Sequence, residues 1–368
     1  MAIQDRLSKL RKMAQERSYD AVILRNNADL RWLTGAERVF DSEQAHSAFI
    51  TADKASLHTD TRYYNSFIER MGEQDLWSFN QDPLSHCSWL IAQAKAAKAQ
   101  TIALEDSISV AFYEALKRAA EDQSLHLNFV FLHSDLVKMR AVKDAQEIEI
   151  MKQAQAITDA AFEHMCGFIQ VGMTEKEVQA ELEHYMLQKG ADGLAFGSIV
   201  AAGPNAANPH AVPGSYKLKK GELLLMDYGA AYRDYCSDMT RVVALGEPSA
   251  QMREIYDIVR EVNEACSRAI KPGIKGEEVH KLACKMIEDA GYGDKFGHGL
   301  GHGVGIEIHE LPNLGGSSQL VLEPGNVVTN EPGIYLPGVG GVRLEDFGVV
   351  SQEGFDIFTQ STHDLRIL

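Results

Sequence analysis

The chain has 368 residues, 45% of them hydrophobic and 24% charged, and a formal net charge of −16. That length exceeds what one core usually organises, so two domains are expected. The acidic balance argues against nucleic acid or an anionic membrane as the main partner, although much of such charge is ordinarily a solvated surface.

The opening stretch MAIQDRLSKLRKMAQERSYDAVIL lacks the apolar core of a signal peptide, and Ile3, Leu7, Leu10 and Met13 repeat at helical spacing. An amphipathic helix near 3–17 is expected, then strands at DAVILR, SAFIT and ASLHTD. A helix around 86–98, the strand TIALED, a helix near 108–121 and the strand LNFVFL complete a small mixed α/β domain over 1–135. No apolar run reaches the ~20 residues of a membrane span. Five scattered cysteines without a CxxC pair suit free thiols in a reducing cytoplasm.

A second domain is expected over 136–368, opening with one long helical pattern from Ser134 to Ile169. Beyond it, IQVGMTEKEVQAELEHYMLQKGADG and IKPGIKGEEVHKLACKMIEDAGYGD align without a gap at an offset of 101 residues, with Gly172 over Gly273 and Gly190 over Gly291. Each segment begins with a turn and runs into an amphipathic helix, and Thr174 with Glu177 reads as a capping box. Each is followed by glycine-rich, strand-like sequence carrying a hairpin with two acids, which suggests a duplication.

In the first hairpin, ELLLMDYGAAYRDYCSDMTRVVAL, a turn at Tyr232–Arg233 would set Asp227 directly opposite Asp238. In the second, VVTNEPGIYLPGVGGVRLEDFGVV, a loop from Leu336 to Gly340 would set Glu331 opposite Glu345. Like charges at ~4 Å and an effective dielectric constant of ~20 repel by about 4 kcal/mol. Two such pairs in apolar strands call for positive charge. Arg241 and Arg343 offer a salt-bridge network; a pair of divalent metals would neutralise more.

The stretch FGHGLGHGVGIEIHELP places glycine at every second position from Gly297 to Gly305. On a strand this bares one face, as suits a place where other backbone approaches closely, and puts His298 and His302 on the other. His302 is the candidate nitrogen ligand for the acids. His309 has the opposite parity, so a bend or bulge is expected if it shares the site. In the irregular loop AAGPNAANPHAVPG, His210 belongs to no helix or strand face, and from composition alone it is either a site residue or an exposed loop histidine.

With these residues assembled, the C-terminal two-thirds, roughly 140–368, resembles the pita-bread metallopeptidases, the superfamily of methionine aminopeptidase, aminopeptidase P, prolidase and creatinase. The motifs are NPHAVPG, LLMDYGAAYRDYCSDMTR, GHGLGHGVGIEIHE, TNEPGIY and VRLEDFG. The first 135 residues resemble the N-terminal domain of the proline-specific and creatinase branches, including DAVILRNNADLRWLTG and HTDTRYY. Creatinases lack the full ligand set, whereas all five ligand positions are filled here. The resemblance implies a pseudo-twofold catalytic domain with a curved antiparallel sheet covered by helices. It implies that Asp227 chelates one metal, that His302 and Glu331 hold the other, and that Asp238 and Glu345 bridge them. The two divalent ions would most often be manganese, with cobalt or zinc as alternatives. His210 and His309 would steady the scissile carbonyl, Glu331 would shuttle the proton, His298 would lie beside the substrate, and Arg343 would support the bridging carboxylates.

The implied activity is hydrolysis of the Xaa-Pro bond at the N-terminus of peptides with proline second, by a homodimer. Many prolidases carry a basic residue shortly after HExP; here that position is Asn313, which tilts the reading to an aminopeptidase over a dipeptidase (prolidase). A non-catalytic binding protein of the same fold is the third possibility, disfavoured because no ligand position is lost.

Overall fold

The computed structural model describes residues 3–71 and 75–368. Two compact units divide the chain, Met1–Arg140 and Ala141–Leu368.

The first unit is built on one mixed six-stranded sheet, in the order Ser78–Asn80, Ala55–Thr59, His46–Thr51, Ala21–Leu24, Thr101–Leu104, Asn128–Phe131. Helices Ile3–Glu16, His86–Ala97 and Val110–Asp122 lie where the apolar periodicity indicates, the last two capped by Ser85 and Ser109. Two further helices were not expected. Asn27–Thr34 is buried at every position from Ala28 to Thr34, so it shows no polar face. Its ends are nonetheless marked: Asn26 accepts from the Asp29 amide, and Gly35 closes the helix at φ +71°. Thr61–Met71 begins just after the strand Ala55–Thr59, in a stretch where no element was expected.

The helical pattern expected to run unbroken from 134 to 169 is interrupted. Asp135–Ala141 ends where Val142 forms a β-bridge with Asn326, and a new helix, Ala145–Phe168, starts from an Asp144–Glu147 capping box. Asp144 accepts from the Gln146 and Glu147 amides while Glu147 accepts from Asp144 N, so the second start is hydrogen-bonded in its own right.

The duplication is visible in the fold. Helices Ala145–Phe168 and Ala250–Ala269 end 101 residues apart, and helices Glu175–Gln188 and Gly276–Asp289 begin and end at that same offset. Gly172 and Gly273 take φ +95° and +87°, and their amides donate to Leu218 O and Leu322 O. One half carries a four-stranded sheet ordered Arg366–Ile367, Met239–Ala244, Leu223–Tyr228, Ile199–Ala202. The other carries a five-stranded sheet ordered Glu310–Leu314, Gly301–Gly303, Val327–Asn330, Asp346–Val350, Phe355–Ile357. The helices pack against these sheets, giving a pita-bread fold. No described helix is long and apolar enough to cross a membrane.

The first hairpin differs from expectation in register. Tyr232 pairs with Tyr235 and Asp227 with Thr240, so the turn is Arg233–Asp234, two residues long, with both at positive φ. Asp227 and Asp238 are thus diagonal neighbours on one face instead of direct partners; a slip of two residues preserves the face. The second hairpin keeps the expected register. Leu336 pairs with Gly340 and Asn330 with Asp346, with Glu331 and Glu345 falling in the break between two ladders.

The glycine run is explained at Gly301 and Gly303, where a Cβ would collide with the carbonyls of Thr329 and Leu311. At Gly297 a Cβ would meet nothing within 4 Å. Gly301→Ala should therefore lower unfolding stability by about 1–3 kcal/mol, whereas Gly297→Ala should change it little. Equal denaturation midpoints for the two variants would refute this account of the strand.

Candidate functional site

All nine residues singled out by the sequence line one cavity of about 720 Å³. Asp227 sits in strand Leu223–Tyr228, and Asp238 just precedes Met239–Ala244. Glu331 just follows Val327–Asn330, and Glu345 just precedes Asp346–Val350. Except for Asp227, these acids sit where ladders stop, so their side chains turn inward without breaking a strand's pairing. The Glu345 amide donates to Thr240 O at 3.1 Å, joining the two hairpins at the carboxylates.

Asp238, His302 and Glu345 bring one donor atom each within 4.8 Å of one another. His302 Nε2 lies 3.6 Å from Asp238 Oδ2 and 3.4 Å from Glu331 Oε1. Its Nδ1 is 3.1 Å from Gly303 O; a carbonyl only accepts, so Nδ1 carries the ring proton and the Nε2 lone pair faces the carboxylates. Burial, then His309, pushes His302 down to about 4, so the ring is neutral near pH 7. The expected bend is present: a register shift at Gly301–Gly303 and the irregular turn after it bring the His309 ring 4.3 Å from that of His302, edge to face.

The carboxylates are short of compensation. Arg343 Nη2 donates to Asp227 Oδ2 at 2.5 Å, so this guanidinium serves Asp227 and not the Asp238–Glu345 pair expected to receive it. Arg241 faces the other side of its strand and pairs with Asp346 at 2.8 Å. The salt-bridge alternative thus leaves one arginine for four acids. Burial, reinforced by Asp227 and Glu331, pushes the Asp238 carboxyl far above the carboxylate range; burial and Asp238 do the same to Glu345. Burial outweighs Arg343 at Asp227, and it pushes Glu331 up to about 8. Asp227 Oδ1 is buried without a hydrogen-bond partner. Inward-facing acceptors, an unprotonated imidazole nitrogen and an orphaned carboxylate oxygen form a donor set that fits divalent cations.

Three supporting residues were missed. Thr240 Oγ1 donates to Glu345 Oε2 at 2.7 Å, and Thr329 Oγ1 donates to Glu331 Oε1 at 3.3 Å and accepts from the His302 amide at 3.0 Å. Tyr335 Oη lies 2.8 Å from Arg343 Nη1 and 2.9 Å from His298 Nε2. Because His298 Nδ1 donates to Gly299 O at 2.7 Å, Nε2 is the acceptor of the tyrosine proton. The available signal was strand parity: Thr240 lies two residues from Asp238, on the same face. His210 lies at the exposed rim, its amide donating to Asn208 Oδ1.

A cavity between duplicated half-sheets, lined by buried acids and histidines, defines a metallohydrolase of the pita-bread fold. Residues 149–352 match the metallopeptidase family M24, and residues 6–142 match the Creatinase/Prolidase N-terminal domain. The chain belongs to metallopeptidase family M24 and is an enzyme of that family. It is similar to the Xaa-Pro dipeptidase from Bacillus anthracis, 37% identical over the full length of both chains with a TM-score of 0.92. It also resembles the X-Pro aminopeptidase from Thermotoga maritima, 32% identical, covering 96% of this chain and 99% of that one, TM-score 0.86. A Xaa-Pro dipeptidase of Pyrococcus horikoshii is 32% identical over 89% of each chain.

The raised acids set a pH dependence. A carboxyl whose pKa is higher folded than unfolded binds extra protons in the native state, so its stabilising share is lost as pH rises through the folded value. For Glu331 that window runs from 4.5 to about 8. Protein held in chelator should melt at progressively lower temperature across this window, and added Mn²⁺ should reverse the loss. A melting temperature in chelator that stays flat or climbs there would contradict the uncompensated cluster.

Proposed function

We propose that the protein is a dinuclear Xaa-Pro dipeptidase. Asp227, Asp238, His302, Glu331 and Glu345 would hold two divalent cations, with Asp238 and Glu345 shared between them. Carboxylate oxygens with a single imidazole suit manganese, with cobalt or zinc able to substitute. When bound, such cations supply Lewis acidity and bring the pKa of a water to about 7.

The remaining steps belong to the chain. Glu331 keeps 16% of its side chain exposed, so it faces both the acid cluster and the open cavity. It would accept the proton of the attacking water at a carboxylate oxygen and deliver it to the leaving imino nitrogen. His309 and His210 would donate hydrogen bonds to the oxyanion that develops on the scissile carbonyl. His298, both ring nitrogens committed to Gly299 O and Tyr335, would present its ring to the substrate, and the acids would attract the free amino terminus.

The observation that carries the dipeptidase reading is the likeness to Xaa-Pro dipeptidases at 32–37% identity over most or all of the chain. It moves the preference away from the aminopeptidase expected from Asn313. A specific observation keeps the aminopeptidase as second reading. Arg343 is the one arginine or lysine lining the described cavity, and its guanidinium is spent on Asp227, Tyr335 and Thr240, so neither residue type is left there for a dipeptide's carboxylate. A homodimer and a cytoplasmic location complete the proposal, the second resting on five unpaired thiols.

With Mn²⁺ present, Xaa-Pro dipeptides should be cleaved at least roughly tenfold faster than Xaa-Pro-Yaa tripeptides, a gap of about 1.4 kcal/mol. Faster tripeptide cleavage would favour the aminopeptidase, and inertness to both would end the proline assignment. Asp238→Ala should lose bound metal and turnover together. His309→Ala should retain metal while kcat falls by about 10²-fold, by analogy with loss of one oxyanion donor; full metal occupancy in the Asp238 variant, or metal loss in the His309 variant, would overturn these roles.

A further inference from the structure

Behind the carboxylates, on the strand face turned away from the cavity, lies a second polar system that the chemistry above does not use. Arg241 is 1% exposed. Its Nη1 donates to Glu345 O at 2.7 Å and Thr240 O at 3.0 Å, and its Nη2 to Asp346 Oδ1 and Ser361 O at 2.8 Å each. One guanidinium therefore ties the backbone beside Asp238 to the backbone of Glu345. His363 Nε2 lies 3.0 Å from Asp346 Oδ1; a carboxylate only accepts, so that nitrogen carries a proton and Asp346 is held from two sides.

The segment 359–368 supplying Ser361 and His363 is stitched to both halves of the duplication. Asp159, on helix Ala145–Phe168, accepts from Ser361 N at 2.8 Å and Ser361 Oγ at 2.6 Å. Tyr256, on helix Ala250–Ala269, donates to His363 O at 2.9 Å. The Leu368 amide donates to Ala244 O, on Arg241's own strand, at 2.8 Å.

We propose that segment 359–368 is a positioning strap which, through His363, Asp346 and Arg241, sets the spacing between Asp238 and Glu345 and so the affinity and geometry of the metal pair. The physical basis is that a fork of fixed donors on backbone carbonyls resists shear, and Glu345 is a direct neighbour of Asp346 on the strand that the fork holds. Removing the outer anchor, His363, takes away one of the two side chains that hold Asp346, so the Arg241 fork keeps its carbonyls but loses its outer brace. The inference rests on the metal-binding reading above.

The test uses the full chain and Mn²⁺ as the probe, comparing wild type with His363→Leu and His363→Gln. Binding is followed by calorimetry, the coupled manganese pair by electron paramagnetic resonance, and folding by melting in chelator. His363→Leu should weaken Mn²⁺ binding by about tenfold, the lower end for residues that orient ligands. It should also alter the coupled signal and lower kcat with KM little changed, while melting in chelator stays near wild type. His363→Gln, which restores a donor to Asp346, should recover most of the affinity. If the leucine variant does not fold, Asp159→Asn, which loosens Ser361 from the other side, should weaken binding in the same direction. Unchanged affinity and coupled signal in a folded variant, or a loss of chelated stability alone, would overturn the strap. A wild-type protein that binds no metal pair would overturn the functional reading and the strap with it.

Discussion

The site is governed by electrostatic frustration: three buried carboxylates, a half-buried fourth at Glu331 and an imidazole lone pair converge with one arginine to balance them. Burial weakens screening by water, and hydrogen-bond donors to the carboxylates are few. Thr240 and Thr329 each give one proton, and Arg343 serves a single oxygen of Asp227. Such a set stays together only by binding protons or cations, and the proposed catalytic role rests on the second.

Much of the fold can be understood as the means of assembling that frustrated set. Two helix–turn–helix segments lie 101 residues apart in sequence, and each half-sheet delivers two acids, Asp227 from within a strand and Asp238, Glu331 and Glu345 from places where ladders stop. Glycine at 301 and 303 lets the strand bearing His302 press against the carbonyls of Thr329 and Leu311, a closeness no side chain permits. On one side of the acids, the hydrogen-bonded series Asp227–Arg343–Tyr335–His298 runs toward the substrate. On the other, Arg241 holds the backbone of Glu345 and pairs with Asp346, so its charge is spent outside the cavity.

The same accounting separates two kinds of arginine that look alike in sequence. Arg241 and Arg343 both follow an acid of their hairpin or precede one closely, and both were candidates to neutralise it. Strand alternation sends Arg343 into the cavity and Arg241 out of it, where Asp346 and three carbonyls accept from its two terminal nitrogens.

The sequence by itself determined which residue types meet and on which faces. Period-two alternation, the acid pairs and the spaced histidines singled out Asp227, Asp238, His298, His302, His309, Glu331, Arg343 and Glu345; His210 stayed open until a family resemblance supplied roles for all nine as expectations. It also marked the duplication, because paired glycines at positive φ leave a trace that substitution cannot easily erase. Only the tertiary structure decided the register of the first hairpin, since a two-residue slip leaves every face unchanged and no local pattern opposes it. It likewise decided that Arg343 serves Asp227, that Tyr335 directs His298, and that residues 359–368 reach back to Asp346. Those partners lie 8 to 116 residues apart along the chain, and hydrogen bonds of that span are set by how sheets and helices pack, not by any neighbouring sequence.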